Sequence, residues 1–260
     1  MQRLGSDPIG DYFSPEAEKG NVIVHSLDKQ RILVIGGTSG IGLATAAAAV
    51  DAGAAVTIAS RNQMKLDAVA AKLGGAVQTR VLDTGDNDLL ERFFQKEQAW
   101  DHVLVSAAQT KTGPVRGMSL ADAAAAMESK FWGGYRVARA ARINDGGSLT
   151  LISGFLSERP SATAVLQGAI NAALEAPARG LALELAPVRV NAGSPGMIET
   201  PIWDDLPREK RREMFESTAA QLPVRKIGQP DDIAKAVLFL MTTAYATGST
   251  VRVDGGGVIA

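Results

Sequence analysis

The most constraining feature of the chain is an uncharged stretch of nineteen residues, 32–50, which a cluster of glycines interrupts. A stretch of this length is close to what a membrane-spanning helix needs. However, the apolar run Ile32–Ile35 covers only four residues before the turn-forming segment Gly36–Gly40, and the helix-forming run Leu43–Val50 comes after it. These features predict a strand, a tight turn and a helix rather than one spanning helix.

The amino-terminal segment has no clear periodicity. Its acidic residues come before any long apolar run, so it does not resemble a signal peptide and we expect a cytoplasmic location. Glycines and prolines punctuate it, so we expect residues 1–28 to form an arm or a flexible extension and residues 29–260 to form a single domain. The acidic residues are Asp7, Asp11, Glu16 and Glu18, and the turn formers include Gly5, Pro8, Gly10 and Pro15.

Composition excludes several classes of function. With 27 Lys and Arg against 28 Asp and Glu in 260 residues, the chain has no basic excess to attract nucleic acid or an anionic membrane. It has no cysteine, which excludes disulfides, thiolate metal sites and cysteine nucleophiles. The only histidines are His25 and His102, so we expect no metal site.

Short runs rich in β-branched residues alternate with longer alanine- and leucine-rich segments along the rest of the chain. This alternation predicts an α/β fold with a doubly wound parallel sheet, the Rossmann fold, of about seven strands with helices on both faces. Right-handed crossovers place the carboxyl ends of such strands along one edge, where ligands bind. The predicted strands are Arg31–Ile35, Ala55–Ser60, Gln78–Leu82, His102–Val105, Leu149–Ser153, Val188–Ala192 and Thr250–Val253.

The glycine cluster lies at the end of the first predicted strand. Residues without a Cβ let backbone amides approach a pyrophosphate, which then lies at the positive end of the following helix. A strand before the turn and a helix after it favour a nucleotide site over an ordinary loop. We expect the pyrophosphate to contact Gly36, Thr38, Ser39, Gly40, Ile41 and Gly42.

Several spaced motifs resemble one family. The chain is similar to the short-chain dehydrogenase/reductases, whose Gly-x-x-x-Gly-x-Gly motif is matched by Gly36, Gly40 and Gly42. The resemblance runs from about Arg31 to the end of the chain. It implies a nicotinamide dinucleotide cofactor, a small-molecule substrate and a homodimer or homotetramer. Further matches are Asp83 after the third strand, Asn191 through Pro195-Gly196 with Thr200 beyond, Gln229–Ala234 and Val253–Gly256.

The end of the second strand indicates which dinucleotide is preferred. A carboxylate there would bind the ribose hydroxyls and repel a 2′-phosphate, but the chain has Ser60 followed by Arg61. Because a guanidinium suits a phosphate, NADP(H) is favoured over NAD(H). The alternative is that Arg61 is a solvated residue that opens a helix.

The resemblance assigns the rest of the cofactor site. After the fourth strand, family members typically carry Asn-Asn-Ala-Gly, and the chain agrees only at the third position. Gln109 adds a side chain where the family has glycine, so we expect cofactor binding there to be displaced or weakened. The implied contacts are Asp83 to the adenine, Thr84, Ser106, Ala107 and Ala108 along the cofactor, and Pro195, Gly196, Ile198 and Thr200 near the nicotinamide.

The family's proton-transfer residues are the largest departure. Members use a serine, a tyrosine and a lysine four residues after it, with an asparagine on the preceding helix. Aligned on Leu183–Pro187, the tyrosine position falls on Gln167 and the lysine position on Asn171, and no Tyr-x-x-x-Lys occurs in the chain. A glutamine amide orients a carbonyl but supplies no proton near neutral pH.

A substitute group is present in the sequence. The family's Asn-x-x-Gly corresponds to Lys130–Gly133, so lysine and asparagine look exchanged between two helices. Our hypothesis is that Lys130 restores an ammonium and, with Ser153 or a bound water, polarises the substrate oxygen. The alternative is that Lys130 points to solvent. The usual spacing places the serine at Gly154, so Ser153 is either one place early or accommodated by a shift; the candidate catalytic residues are Ser153, Lys130, Gln167 and Asn171.

Two further segments depart from a regular pattern. Between Thr200 and Gln229, an apolar stripe predicts a cover for the substrate pocket and a hydrophobic substrate, and the charged run 208–213 predicts a solvated helix face. Pro177 lies within the expected fifth helix of the domain, where it would remove a backbone hydrogen bond and introduce a kink. The stripe consists of Trp203, Leu206, Met214 and Phe215.

These features favour an NADP(H)-dependent oxidoreductase that reduces a carbonyl or a similarly polarised double bond with a modified proton-transfer site. Two alternatives stay open at this stage. One is a dinucleotide-binding sensor or scaffold subunit without turnover, and the other is an isomerase or lyase that retains the cofactor.

Overall fold

The computed structural model describes residues 27–260. Seven parallel strands form one sheet in the order β3-β2-β1-β4-β5-β6-β7. This order, with helices on both faces, is the Rossmann arrangement that the sequence predicts. The predicted amino-terminal arm, 1–28, falls almost wholly outside the described residues. The strands are β1 Arg31–Ile35, β2 Ala55–Ser60, β3 Val77–Val81, β4 Trp100–Val105, β5 Ile143–Ile152, β6 Arg189–Pro195 and β7 Thr250–Val253.

Eight α-helices connect and cover these strands within residues 27–260. A five-residue π-helical turn, Glu128–Trp132, joins α4 to α5, and short 3₁₀ turns occur at Phe155–Ser157 and Pro201–Trp203. Of the described helices, none is long and apolar enough to cross a bilayer. The helices are α1 Gly40–Asp51, α2 Gln63–Lys72, α3 Asn87–Lys96, α4 Leu120–Met127, α5 Gly133–Ala140, α6 Val165–Glu184, α7 Arg208–Gln221 and α8 Pro230–Thr242.

The core consists of two layers, one on each face of the sheet. Alternate residues of β1 point to opposite faces, so Ile32 and Val34 pack in the layer with α1 and α8, whereas Leu33 and Ile35 pack in the layer with α3, α5 and α6. All four side chains are fully buried. The central strands therefore read as continuous apolar runs, as expected for a sheet covered on both faces.

The observed bounds of β1, β2 and β7 match the predicted ones, and those of the other strands differ. The largest difference is in β5, which begins at Ile143 rather than at Leu149 and ends one residue before Ser153. Its amino-terminal half contains Asn-Asp-Gly-Gly, which is typical of a turn. This half nevertheless pairs through Ile143 with Trp100, beyond an irregularity in the ladder, and β4 accordingly begins at Trp100 rather than at His102.

The remaining differences are smaller. Strand β3 begins and ends one residue earlier than predicted, and β6 runs from Arg189 to Pro195 instead of from Val188 to Ala192. Helix α6 continues through Pro177 as one helix of 20 residues. Its face toward the sheet edge therefore carries residues from both sides of the proline.

Candidate cofactor cleft and proton-transfer site

The glycine turn after β1 is too tight for side chains at several positions. Gly36 has φ +89°, and a Cβ there would lie 2.4 Å from the Ala107 backbone nitrogen. A Cβ on Gly42 would lie 2.3 Å from the Gly36 carbonyl oxygen. The turn therefore presents backbone rather than side chains, which is what close approach to a pyrophosphate requires.

Helix α1 begins in this turn with its first amides available. Among the residues that the structure describes, Ser39 makes no side-chain cap hydrogen bond, and the first turn of α1 carries no acidic residue. Ser39 is exposed, whereas Thr38 and Ile41 are partly buried. A Cβ on Gly40 would lie 3.2 Å from the Thr200 Cγ2 atom, so Thr200 borders the same turn. The positive end of α1 thus faces a backbone-lined cleft that fits an anionic group.

Arg61 and Gln109 lie on either side of this cleft. The Arg61 guanidinium donates from Nη2 to the Gln109 Oε1 atom at 2.6 Å. The two residues follow β2 and β4, the two neighbours of β1, so their hydrogen bond spans the glycine turn. Ser60, directly before Arg61, accepts a long hydrogen bond of 3.4 Å from the Asn62 backbone amide.

The predicted adenine and cofactor-path residues lie along the same edge of the sheet. The Asp83 carboxylate accepts from the Gly85 amide at 2.9 Å, which fixes the loop after β3. The amides of Ser106 and Ala107 both donate to the Ile35 carbonyl, at 2.9 and 3.1 Å, so the loop after β4 is held against the end of β1. Ala108 is exposed beside them, and the Thr84 hydroxyl lies 2.8 Å from the Cβ position of Gly133 on α5.

The predicted nicotinamide segment follows β6. Pro195 is the last residue of β6, and the Gly196 amide donates to the Val253 carbonyl of β7 at 3.0 Å. A Cβ on Gly196 would lie 2.6 Å from the Asp254 Cα atom, so glycine permits this close contact. Ile198 is buried and forms an isolated parallel bridge with Gly228.

Lys130 lies in the π-helical turn, and its side chain enters the protein. Its ammonium donates to the Ser153 carbonyl oxygen and to the Asn171 Oδ1 atom, both at 2.7 Å. Burial lowers the pKa of Lys130 to about 8. The negative charge of Glu175 opposes this effect and raises the pKa. A π-helical turn changes the direction of the following side chains, and such turns are frequent at functional sites.

Gln167 and Asn171 occupy one face of α6 beside this amine. The Gln167 Nε2 atom donates to Asn171 Oδ1 at 3.1 Å, so that oxygen accepts from both Gln167 and Lys130. Within residues 27–260, the buried Gln167 Oε1 atom has no hydrogen-bond partner. The structure therefore brings together three of the four predicted catalytic side chains.

The fourth residue, Ser153, contacts Lys130 through its backbone carbonyl rather than through its side chain. Ser153 is 3% exposed, and its hydroxyl donates to Glu175 Oε1 at 2.7 Å and lies 3.2 Å from the Gly193 carbonyl. The neighbouring Gly154 faces α6 instead, since a Cβ there would lie 2.7 Å from Asn171 Nδ2. Successive residues of an extended chain point to opposite sides, so only one of these two positions can present a side chain to Asn171.

Glu175 is a member of this cluster that the sequence analysis did not identify. It is buried, and its Oε1 atom accepts from the hydroxyls of Ser153 and Ser157, each at 2.7 Å. It follows Gln167 and Asn171 at steps of four residues, the spacing that places side chains on one helix face. Continuing the four-residue spacing from Gln167 and Asn171 by one more step along the sequence would have identified Glu175.

Neither described tyrosine replaces the missing phenol. Tyr245 is fully exposed, and Tyr135 packs edge-on against Trp132 near the surface. Tyr12 lies outside the described residues. Within the described part of the chain, Lys130 is therefore the ionisable group in direct contact with both Asn171 and the end of β5.

The segment after Thr200 forms a 3₁₀ turn and α7. Trp203 donates from its indole nitrogen to the Ile198 carbonyl at 2.9 Å and packs edge-on against Phe215, with ring centroids 6.4 Å apart. The charged run lies on the exposed side of α7, where Arg211 pairs with Asp204 and Arg212 pairs with Glu209. The segment thus joins the end of β6 to a helix with a solvated charged face.

Comparisons with known proteins identify the class of protein to which this cleft belongs. A family model described as enoyl-(acyl carrier protein) reductase matches residues 36–257, which include the glycine turn, Lys130 and the segment after β6. Proteins of this class are oxidoreductases built on a dinucleotide-binding sheet. The chain belongs to the short-chain dehydrogenase/reductase family.

Individual relatives agree with this assignment. The chain is 32% identical over 256 residues to the short-chain dehydrogenase/reductase ucsE of Acremonium sp., covering 90% of this chain and 97% of that protein. It is 29% identical to the 3-oxoacyl-[acyl-carrier-protein] reductase FabG of Thermotoga maritima, covering 90% and 99%. A crystal structure of a small-chain dehydrogenase in complex with NADPH shares 34% identity at a TM-score of 0.77, covering 90% of this chain and 100% of that one.

Proposed function

We propose that this protein is an NADP(H)-dependent oxidoreductase that reduces a carbonyl or a similarly polarised double bond, with Lys130 as the proton donor. The observation that carries the proposal is the position of the Lys130 amine. It lies 2.7 Å from both the Asn171 side chain and the Ser153 carbonyl, next to the residue at the family's tyrosine position.

The hydrogen bonds of Lys130 suit a proton donor. An ammonium has three N–H groups, and Asn171 and Ser153 accept from two of them, which leaves one for a substrate oxygen. A general acid works best when its pKa lies near the working pH. Burial brings the pKa of Lys130 to about 8, so the amine is mostly protonated at neutral pH and can still release its proton.

The chain's own residues would hold the cofactor and complete the reaction. The glycine turn at the start of α1 would hold the pyrophosphate, and the segment from Pro195 to Thr200 would hold the nicotinamide end. A reduced nicotinamide bound there would supply the hydride for the carbon of the substrate double bond. Lys130 gives a proton to the substrate oxygen, becomes a neutral amine and regains a proton from water. Gln167 orients the same oxygen through its amide.

Arg61 supports a preference for NADP(H). A guanidinium at the end of β2 offers paired donors to a 2′-phosphate, and no carboxylate stands at Ser60 to repel it. The hydrogen bond with Gln109 holds Arg61 across the cleft, where a phosphate would be a stronger acceptor than an amide. The related small-chain dehydrogenase was crystallised with NADPH, which agrees with this preference.

The surface around the site favours a hydrophobic substrate and self-association. Trp203 and Phe215 supply apolar area between the end of β6 and α7. On α5 and the preceding π-helical turn, Tyr135 and Trp132 pack edge-on as an aromatic patch, and they are 46% and 43% exposed. Exposed apolar patches mark interaction sites, in keeping with a homodimer or homotetramer.

The experiment that tests the proposal measures binding and turnover separately. NADPH binding is followed by fluorescence titration, and NADPH oxidation is followed with a panel of carbonyl and imine acceptors. We expect oxidation whose kcat falls as the pH rises through about 8, because the neutral amine cannot donate the proton. Replacement Lys130→Met should lower kcat by about 10²-fold or more and leave the Kd for NADPH unchanged.

The matched control is Lys235→Met, at an exposed lysine of α8, which should behave like the wild type. Wild-type kcat in the Lys130→Met variant would contradict the role of Lys130. Tight NADPH binding with no oxidation by any acceptor would favour a dinucleotide sensor instead.

A further inference from the structure

We propose that Glu175 is a positioning residue of the reductive site, and that its carboxylate keeps the Lys130 amine charged while it fixes the Ser153 segment that binds this amine. The proposal deepens the proposed function and rests on it, since Lys130 acts as an acid only while it carries its proton. Neither the family motifs nor the glycine turn point to this residue.

Glu175 is buried in an environment that supplies specific hydrogen-bond donors to its carboxylate. Its side chain lies on α6, 9% exposed, one helical step beyond Asn171. One oxygen, Oε1, accepts from two hydroxyls at 2.7 Å, that of Ser153 at the end of β5 and that of Ser157 in the 3₁₀ turn. A buried carboxylate is costly unless it is paired or hydrogen-bonded, and these two hydroxyls supply the hydrogen bonds.

Ser153 links Glu175 directly to Lys130. Its hydroxyl donates to the carboxylate and its carbonyl accepts from the ammonium, so one residue contacts both groups through different atoms. The Ser157 hydroxyl, which also lies 3.1 Å from the Gly154 carbonyl, holds the next residues of the same loop. Glu175 thereby fixes the backbone that receives the Lys130 amine.

The charges around Lys130 leave Glu175 as its counter-charge. The groups facing it from α6 are the neutral amides of Gln167 and Asn171, and the end of β5 offers the neutral Ser153. Glu128, on the same π-helical turn, is exposed and pairs with Arg136. Among residues 27–260, Glu175 is the group whose charge raises the pKa of Lys130 against the effect of burial.

Removal of the Glu175 charge should therefore lower the pKa of the Lys130 amine, although the two side chains are linked through Ser153. Without the carboxylate, burial alone governs Lys130, and the amine loses its proton at a lower pH. A purely structural Glu175, which only ties α6 to the 3₁₀ turn, would affect stability but leave the titration of Lys130 in place. The titration separates the two roles.

The test measures the titration of Lys130 directly in the full-length protein without cofactor. Lysines are labelled with ¹³C at the ε carbon, the Lys130 signal is identified by its loss in Lys130→Met, and its shift is followed by NMR across pH. In Glu175→Gln we expect the midpoint to move to lower pH by about one unit or more. The alkaline decline of kcat should move with it. Glu184→Gln, at an exposed glutamate of the same helix, is the matched control and should leave both unchanged.

An unchanged or higher midpoint in folded Glu175→Gln would overturn the proposal. If this variant does not fold, Glu175→Asp keeps the charge but withdraws it by one methylene, and a smaller shift in the same direction is then expected; no shift would overturn the proposal equally. Because the NMR midpoint needs no turnover, it is readable even if no acceptor is ever reduced, so failure of the proposed function and failure of the Glu175 proposal are distinguishable.

Discussion

We propose that an amine and an amide have exchanged positions at this site. In the alignment on Leu183–Pro187, Asn171 of α6 stands where the family has lysine, and Lys130 stands where the family has asparagine. The two side chains meet at 2.7 Å. Since a glutamine amide supplies no proton, the Lys130 amine is the proton source that the proposed reaction would use.

The residue scale also shows what the sequence could not predict. Motif spacing located Lys130, Gln167 and Asn171, because these positions follow from fixed anchors in the chain. It left the register of Ser153 open, since a neighbouring glycine gives no signal about which of two residues faces a helix. Glu175 was missed because a single acidic residue on an alanine-rich helix is normally solvated, and only packing shows that it is buried.

The cofactor preference is a prediction about one residue. Replacement Arg61→Asp should weaken NADPH binding by about tenfold or more and leave NADH binding unchanged or improved, because a carboxylate repels the 2′-phosphate and accepts from ribose hydroxyls. Fluorescence titration with NADPH and with NADH measures the ratio of their dissociation constants. Gln109→Ala serves as the control, since it removes the contact of Arg61 but not its charge. An unaltered preference would show that Arg61 does not read the phosphate.

At the scale of elements, the pattern of short apolar runs predicted all seven strands of the sheet and the bounds of three of them, β1, β2 and β7. Strands β1 and β2 match their predicted bounds, because their apolar character ends where their burial ends. The amino-terminal half of β5 was missed, since its polar and glycine residues pair with β4 only through tertiary context. The π-helical turn has no sequence signature of its own, and it aims Lys130.

The glycine turn between β1 and α1 allows a prediction with an internal control. Gly36 and Gly74 both have positive φ, +89° and +61°, but only Gly36 is crowded, and nothing lies within 4 Å of a Cβ on Gly74. Gly74→Ala should cost about 1 kcal/mol of unfolding free energy from backbone strain alone. Gly36→Ala should cost about 2 kcal/mol more and abolish NADPH binding. Denaturant unfolding and dinucleotide titration measure both effects; equal costs in the two variants would contradict the crowding.

At the scale of the whole molecule, one buried histidine connects the central strands at the edge opposite the cleft. His102 on β4 lies 2.7 Å from the Gln30 Oε1 atom before β1 and 2.8 Å from the Ser148 hydroxyl on β5. The pKa of His102 is lowered to about 4, mainly by burial and further by the positive charge of Arg189, with Asp101 opposing. The ring is therefore neutral in the folded protein at physiological pH.

This shift predicts a pH dependence of global stability. Because the folded pKa lies below the unfolded one, the contribution of His102 is complete above about pH 6.5 and is lost as the pH falls toward 4, to a total of about 3 kcal/mol. Urea unfolding at pH 7 and pH 4 should show a smaller difference in His102→Gln than in the wild type, since the carboxylates titrate alike in both. The same pH dependence in both proteins would exclude His102 as the cause.

The space opposite Asn171 bears on whether a serine could be introduced beside it. A Cβ at Gly154 would lie 2.7 Å from Asn171 Nδ2. Asn171 Oδ1 accepts from both Lys130 and Gln167, so a side chain at position 154 would press on an amide that two donors already orient. A serine at position 154 and the present contact between Lys130 and Asn171 therefore compete for one space, and we expect Gly154→Ser alone to disturb that contact.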